Sequence, residues 1–158
     1  MPSNGSKPPV YRFGFAFKGE FMLAYARAHG LTMILESDAI RSMFDGKDSM
    51  NFADLEDRDL EDKSFRDALI YVATLLVEEE LTRRCAFPLV LCYPFSEEWD
   101  GMFALWSNYD LRERFGKFIP TKERYQSILA TLHAALTTPE HDSQPLWWFD
   151  SDNDVVRA

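Results

Sequence analysis

Cysteine is scarce in this chain of 158 residues, which contains only Cys85 and Cys92. Two thiols exclude a disulfide framework, and no apolar segment of a signal peptide follows Met1. The chain is therefore expected to be cytoplasmic or nuclear and not secreted. The longest apolar run, ALIYVATLLV, has ten residues and is too short to span a bilayer, so no membrane contact is expected.

The motifs of the common phosphate, metal and acyl-transfer sites are also missing. The chain contains no G-x-G-x-x-G, G-x-x-x-x-G-K-[ST] or G-x-S-x-G. Its cysteines and three histidines do not have the spacing of zinc ligands. Asp150, Asp152 and Asp154 alternate as calcium ligands do, but Val155 occupies the position that requires glycine. We therefore predict no cofactor and no metal, and the pattern assigns no catalytic residue.

Basic residues are outnumbered, with 17 Lys and Arg against 26 Asp and Glu and a formal net charge of -9. Such a charge excludes sequence-independent binding to nucleic acid or to anionic lipid. Much of the acid lies in residues 45–62, here called the acidic stretch, where eight carboxylates and two basic residues give -6. A charge run of this kind either faces solvent or forms a docking surface for a partner.

One segment has the opposite sign. Residues 112–124, RERFGKFIPTKER, hold five basic and two acidic residues and are here called the basic segment. Their net charge of +3 predicts contact with acid, either on a partner protein or in the acidic stretch of a second copy. The predicted interaction residues are Arg112, Arg114, Phe115, Lys117 and Phe118, together with Trp147 near the C-terminus.

Hydrophobic residues make up 46% of the chain and aromatic residues 15%, which is typical of a globular protein with a sizeable core. Strands are predicted at YRFGFAF, LTMIL, LVLC and PLWWF, with helices between them. This alternation favours an α/β fold, a single layered domain with a small, largely parallel sheet of about four strands flanked by helices. An α+β fold is the alternative. The predicted divisions are a disordered lead-in (1–10), one globular domain (11–150) and an acidic tail (151–158).

Two helix predictions matter for the fold. Ser64 and Asp67 resemble a capping box that opens a helix to about Arg84, and its apolar middle predicts a central helix covered on several sides. A second helix is predicted after Ser96, because the apolar residues that follow fit helical spacing: Trp99, Met102, Phe103 and Trp106.

The adjacent rings of Trp147 and Trp148 pose a separate problem. Neighbouring residues of a strand point to opposite faces, so the two rings cannot share one core. The layered fold predicts that helices cover both faces and bury both rings. If one ring is instead exposed, we expect it to contact another chain or a ligand.

A ligand site is predicted by fold analogy alone. In open α/β sheets, ligands bind beyond the C-terminal ends of the strands, which here carry Lys18, Glu36, Ser37, Tyr93 and Ser96. Two functions therefore compete: a non-enzymatic interaction domain that binds a protein partner or itself, and a small-molecule-binding protein or enzyme. His133 is either a boundary residue of its helix or an acid-base group, and His141 is expected to be exposed.

Overall fold

The computed structural model describes residues 9–113 and 120–150, except for the side chains of residues 111–113. The chain divides into two compact units: unit 1 comprises Met1–Phe17 and Cys85–Ala158, and unit 2 comprises Lys18–Arg84. Two 3₁₀ turns, Phe52–Asp54 and Asp57–Leu60, lie in unit 2. The described elements are β1 (Tyr11–Phe17), α1 (Gly19–Ala28), β2 (Thr32–Ile34), α2 (Asp38–Met43), β3 (Ser49–Asn51), α3 (Lys63–Cys85), β4 (Val90–Cys92), β5 (Gly101–Ser107), α4 (Asn108–Glu113), α5 (Lys122–Leu136), β6 (Thr137–Thr138), β7 (His141–Asp142) and β8 (Pro145–Phe149).

The main sheet belongs to unit 1 and has the strand order β4-β5-β1-β8. Every neighbouring pair in it is antiparallel, so the prediction of a largely parallel α/β sheet is wrong and the α+β alternative fits. The error has two causes. The segment Gly101–Ser107, predicted as part of a helix, is a strand between β4 and β1. The strand predicted at LTMIL pairs with β3 in unit 2 and is not part of this sheet.

One face of the sheet is built from aromatic side chains. The alternation of β1 places Tyr11, Phe13, Phe15 and Phe17 on this face, as the sequence predicts. Their register partners include Trp147 and Phe149 of β8 and Trp106 and Phe103 of β5. Helix α5 packs here: its Tyr125 ring lies 5.5 Å from Trp106, and its inner side chains Ile128, Leu132 and Leu136 are buried.

The opposite face is lined by smaller residues. Ala16, Cys92, Met102 and Ala104 form a buried cluster there, against which Trp99 and Trp148 pack. Gly14 lies on the same face, where the register of β1 with β5 shifts and Leu105 is left without a partner as a β-bulge. A Cβ at Gly14 would lie 2.1 Å from the Phe103 carbonyl oxygen. The glycine therefore permits the close approach of the neighbouring strand.

Unit 2 is organised around α1, α3 and the β2–β3 hairpin. Gly30, at φ +59°, ends α1, and Leu31 donates its N–H to the Ala26 carbonyl at 3.0 Å, as in a glycine-terminated helix. Ser37 caps α2 by accepting the Ile40 N–H at 3.2 Å. The core residues are Leu23, Ala26, Leu35, Met50, Phe52, Leu55, Leu60, Leu69 and Ala73.

The predicted long helix is confirmed as α3, but one detail differs from the prediction. Its first turn is capped by Asp62, which accepts the Phe65 N–H at 2.8 Å, so Ser64 is not the cap. The helix also has an exposed side, where Tyr71 is 58% and Leu75 is 40% exposed. Its inner side is one stripe of buried residues at four-residue spacing: Leu69, Ala73, Val77 and Leu81. No helix in the described residues is long and apolar enough to cross a membrane.

Candidate functional site

Seven aromatic rings of unit 1 form two groups of contacting rings on neighbouring strands, and we call the seven residues together the aromatic surface. Phe149 contacts Tyr11 and Phe95 at centroid distances of 5.6 and 6.0 Å. On the neighbouring positions of the same strands, Phe13 contacts Trp147 and Trp106, each at 5.5 Å. The full set is Tyr11, Phe13, Phe95, Trp106, Tyr125, Trp147 and Phe149.

The position of Phe95 depends on a link between the two edges of the sheet. The chain after β4 pairs with the chain after β8 through a bridge between Pro94 and Asp150. Phe95 then donates its N–H to the Phe149 carbonyl at 2.8 Å. Asp150 is itself buried and accepts from Arg12 Nε at 2.7 Å, which holds the end of β8 against β1. Main-chain pairing and a partly buried ion pair therefore fix the rings.

Three rings of the aromatic surface are open to solvent. Phe95 is 72% exposed, Trp147 is 46% exposed and Tyr11 is 42% exposed. The expectation that both tryptophans are buried is therefore wrong. Trp148, on the opposite face, is half-buried and packs on the small-residue cluster. Large apolar rings exposed next to one another are typical of contact surfaces, because isolated globular proteins normally cover such area.

The outer edge of β8 is poorly suited to accept another strand. Asp150 donates to the Val10 carbonyl, so by ladder alternation the main-chain groups of Trp147 and Phe149 face away from β1. The Phe149 carbonyl already accepts from Phe95, and Pro145 has no N–H to donate. These features protect the edge against strand addition. Binding at the aromatic surface would therefore use side chains.

The acidic stretch lines a cleft in unit 2 with a volume of about 490 Å³, here called the acidic cleft. Its apolar lining residues include the buried Met50 and Leu55 and the rings of Phe44 and Phe65, whose centroids are 5.8 Å apart. Carboxylates and two cations line the rest of it: Asp45, Asp54, Glu56, Asp59, Lys47 and Arg58. The sequence predicted the acidic charge but not the concave shape.

A polar cluster in unit 2 was not predicted. Arg84 donates to the Tyr25 hydroxyl at 3.0 Å, and the His29 ring stacks on Tyr25 with centroids 3.9 Å apart. Burial raises the pKa of Tyr25, the Glu80 carboxylate raises it further, and Arg84 opposes the rise. One Glu80 oxygen is buried without a hydrogen-bond partner in the described residues. The only signal in the sequence was the spacing of Glu80 and Arg84, four apart on one helix.

The residues of the predicted ligand site fall into both units. Lys18, Glu36 and Ser37 belong to unit 2, and Tyr93 and Ser96 belong to unit 1. All but Ser96 are exposed. The rule that grouped them applies to parallel strands, whose C-terminal ends meet at one edge. In this sheet β1 and β8 run in opposite directions, so the grouping loses that support and remains a prediction.

Two of these side chains have local roles. The Ser37 hydroxyl is occupied as the cap of α2, and the Ser96 hydroxyl accepts the Glu98 N–H at 3.1 Å. Both contacts are of the kind that short polar side chains make in turns and at helix starts. These local hydrogen bonds explain the serine at each of the two positions, and no bound ligand is needed to explain them.

The histidines differ from one another. His133 is exposed on α5, and nothing in its surroundings tests an acid-base role. His141 is buried, which contradicts the expectation of exposure: its Nδ1 lies 2.6 Å from the Leu136 carbonyl oxygen, and its ring contacts Trp99 edge-on. Among the residues that the structure describes, no group of three or more His, Cys, Asp or Glu is arranged to hold a metal ion.

Most of the predicted interaction residues of the basic segment lie outside the described residues: Arg114, Phe115, Lys117 and Phe118. Arg112 is described only in its main chain, as part of α4. Trp147 is therefore the one predicted interaction residue whose side chain can be placed.

Comparison with known proteins yields no match to a family, to a curated protein or to a solved structure. The function of this chain must therefore be argued from its own surfaces and clusters.

Proposed function

We propose that this protein is a non-enzymatic interaction domain of the cytoplasm or nucleus, and that its aromatic surface binds a second copy of the chain. The observation that carries the proposal is the exposure of Phe95, Trp147 and Tyr11, whose rings contact Phe149 or Phe13 of the same aromatic surface. A foreign protein partner is the other possible occupant of the same surface.

The chemistry of the aromatic surface suits a protein interface. Tryptophan and tyrosine are enriched among the residues that dominate binding energy, because each buries a large area and loses few rotamers. Tyr11 and Trp147 each contact the ring of a cross-strand neighbour, Phe149 and Phe13, which limits the conformational entropy lost on binding. The edge of β8 is protected, so the rings themselves supply the contact.

A second copy is favoured because the chain contains charged segments of opposite sign. The acidic stretch carries -6 and the basic segment +3. Complementary charge steers two copies toward each other and excludes like-charged orientations. Exposed ion pairs contribute little energy individually, so apolar area is also required, and the aromatic surface supplies it.

Sedimentation velocity at low and high salt tests the proposal. We expect a dimer at low salt that weakens as salt rises, since the Debye length falls from about 10 Å at 0.1 M to about 3 Å at 1 M. Trp147→Ser should weaken association by at least about tenfold, as loss of an interface anchor does. Leu146→Ser is the matched control, because Leu146 is 51% exposed but points to the other face. A monomer at both salt concentrations would refute self-association and leave a foreign partner.

The alternative is a small-molecule-binding protein or an enzyme. The polar cluster around Tyr25 favours it, because a tyrosine whose pKa is raised by burial and that contacts the Arg84 guanidinium is a feature found at reactive sites. Native mass spectrometry of the protein from its source separates the two functions. The mass of a second copy supports the interaction domain, and the mass of a retained small molecule supports the alternative.

A further inference from the structure

Two carboxylates of the acidic cleft form no ion pair within the described residues. These are Asp45 and Asp54, and both are exposed. Glu56, by contrast, pairs with Arg58 at 2.7 Å, and Asp59 accepts the Glu56 N–H at 2.8 Å. Two carboxylates at the cleft thus remain available to a positively charged occupant.

The cleft also has apolar lining residues, and these suit an apolar group on the occupant. Among the lining residues Met50 and Leu55 are buried, Phe44 and Phe65 are half-buried, and Met43 is 64% exposed. A concave, mainly polar surface with a smaller apolar part accepts an apolar side chain whose neighbours are charged. An occupant with an aromatic or aliphatic anchor and adjacent positive charges satisfies both parts of the cleft.

We propose that the acidic cleft binds the basic segment of a second copy of this chain. In that segment Phe115 and Phe118 are interleaved with Arg114 and Lys117, so each aromatic ring has a cation beside it. Lys122, at the start of α5, is exposed and forms no ion pair with the described residues. In a twofold dimer the contact occurs twice, because each copy presents one cleft and one basic segment. It is separate from the aromatic surface and goes beyond the proposed function.

A peptide titration tests the cleft directly. The probe is the blocked, fluorescently labelled peptide RERFGKFIPTKER, added to the full chain at low salt. We expect saturable binding that Asp45→Asn with Asp54→Asn weakens at least tenfold. Asparagine tolerates the left-handed backbone of Asp45, at φ 56°, so the variant should fold normally.

The matched control is Asp48→Asn with Asp57→Asn. These two carboxylates belong to the same acidic stretch, are exposed and do not line the cleft, and their loss changes the net charge equally. They differ from the test pair in forming surface ion pairs, Asp48 with Arg41 at 3.7 Å and Asp57 with Arg27 at 3.3 Å. Peptide affinity should change by less than twofold in the control. An equal loss in both double variants would show a diffuse charge effect and would overturn the proposal, as would the absence of saturation.

A mixing experiment shows whether the contact joins two copies. The first variant carries Asp45→Asn and Asp54→Asn, and the second carries Arg114→Glu and Lys117→Glu. Each alone should associate at least tenfold more weakly than the natural chain. Their mixture should recover part of the association, because the intact basic segment of the first variant meets the intact acidic cleft of the second and restores one of the two contacts.

The mixing experiment and the Trp147→Ser variant distinguish binding at the acidic cleft from binding at the aromatic surface. If the basic segment meets the cleft within its own chain, the mixture stays as weak as its parts, and the proposal is overturned. Trp147→Ser should leave the affinity for the peptide unchanged, since Trp147 belongs to the aromatic surface of unit 1. Loss of peptide binding in that variant would contradict the assignment of the peptide to the cleft.

Discussion

Gly14 shows how a single missing side chain determines the packing of two strands. The position sits at the bulge between β1 and β5, where a Cβ would come within 2.7 Å of the Ala104 Cα as well as against the Phe103 carbonyl. Main-chain atoms cannot rotate away as a flexible side chain can. The residue is therefore required by close approach and not by its own backbone angles.

Gly14→Ala should consequently lower the free energy of unfolding by about 1–3 kcal/mol, the range of overpacked positions. Denaturant melts should show this as a lower midpoint. Gly46→Asn is the control, because Gly46 has open space around it and a left-handed φ of +72° that asparagine accepts. If the two variants melt alike, the strands do not approach as described.

Tyr25 is a titratable residue whose environment predicts a pH effect. Burial raises its pKa above the ordinary value of 10.0, so the folded chain holds the hydroxyl proton to higher pH than the unfolded chain does. The stability from this group is complete below about pH 10 and is lost as pH rises through the folded pKa.

Tyr25→Phe should therefore lose stability less steeply than the natural chain above about pH 10, in denaturant melts taken along a pH series. Tyr71→Phe, at a position 58% exposed, is the comparison. The explanation fails if Tyr25→Phe and Tyr71→Phe have the same slope.

At the scale of elements, β5 explains why local spacing misled the prediction. Trp99, Met102, Phe103 and Trp106 fit a helical stripe, but every residue from Gly101 to Leu105 is buried. A strand in the middle of a sheet is covered on both faces, so it has no alternation to distinguish it from a buried helix. Only the pairing of this segment with β1 and β4 decides between the two.

Helix α3 illustrates the difference between an apolar sequence and a buried one. Leu75 and Leu76 are adjacent and chemically identical, but Leu76 packs against the core of unit 2 whereas Leu75 is 40% exposed. Leu76→Ala should cost about 2 kcal/mol, the lower end of the range for leucine truncations in cores. Leu75→Ala should stay within about 0.5 kcal/mol. Equal losses in thermal or denaturant melts would contradict this orientation of the helix.

At the scale of the whole molecule, the chain leaves the sheet of unit 1 after β1 and returns to it at β4. The intervening segment, Lys18–Arg84, has its own core. Unit 1 is thus assembled from two distant parts of the sequence, which pair through β1 with β5 and β8. Formation of this sheet requires closing a long loop, which costs entropy before the pairing compensates for it.

The labelling rates of the two thiols show whether unit 1 stays folded. Cys85 and Cys92 form no disulfide and are both buried. Labelling by a thiol reagent should be slow in the native protein and should become fast in denaturant for both cysteines. Fast labelling of either in the native state, read by mass spectrometry, would show that unit 1 opens locally or that the thiol is reactive.

The sequence by itself determined the features that depend on neighbours along the chain. The aromatic alternation of β1, the caps at Gly30 and Ser37 and the extent of α3 follow from periodicity and from local hydrogen bonds. The charge of the acidic stretch is likewise a property of composition. The separation of Trp147 and Trp148 onto opposite faces follows from strand geometry alone.

The tertiary structure decided everything that depends on residues distant in sequence. It made the sheet antiparallel, left Trp147 exposed beside Phe95 and buried His141 against Leu136. It also shaped the acidic stretch into a cleft and brought Tyr25 to Arg84. The physical reason is that strand direction, exposure and concavity arise from which distant segments pair, and pairing depends on the packing of the whole chain rather than on local propensity.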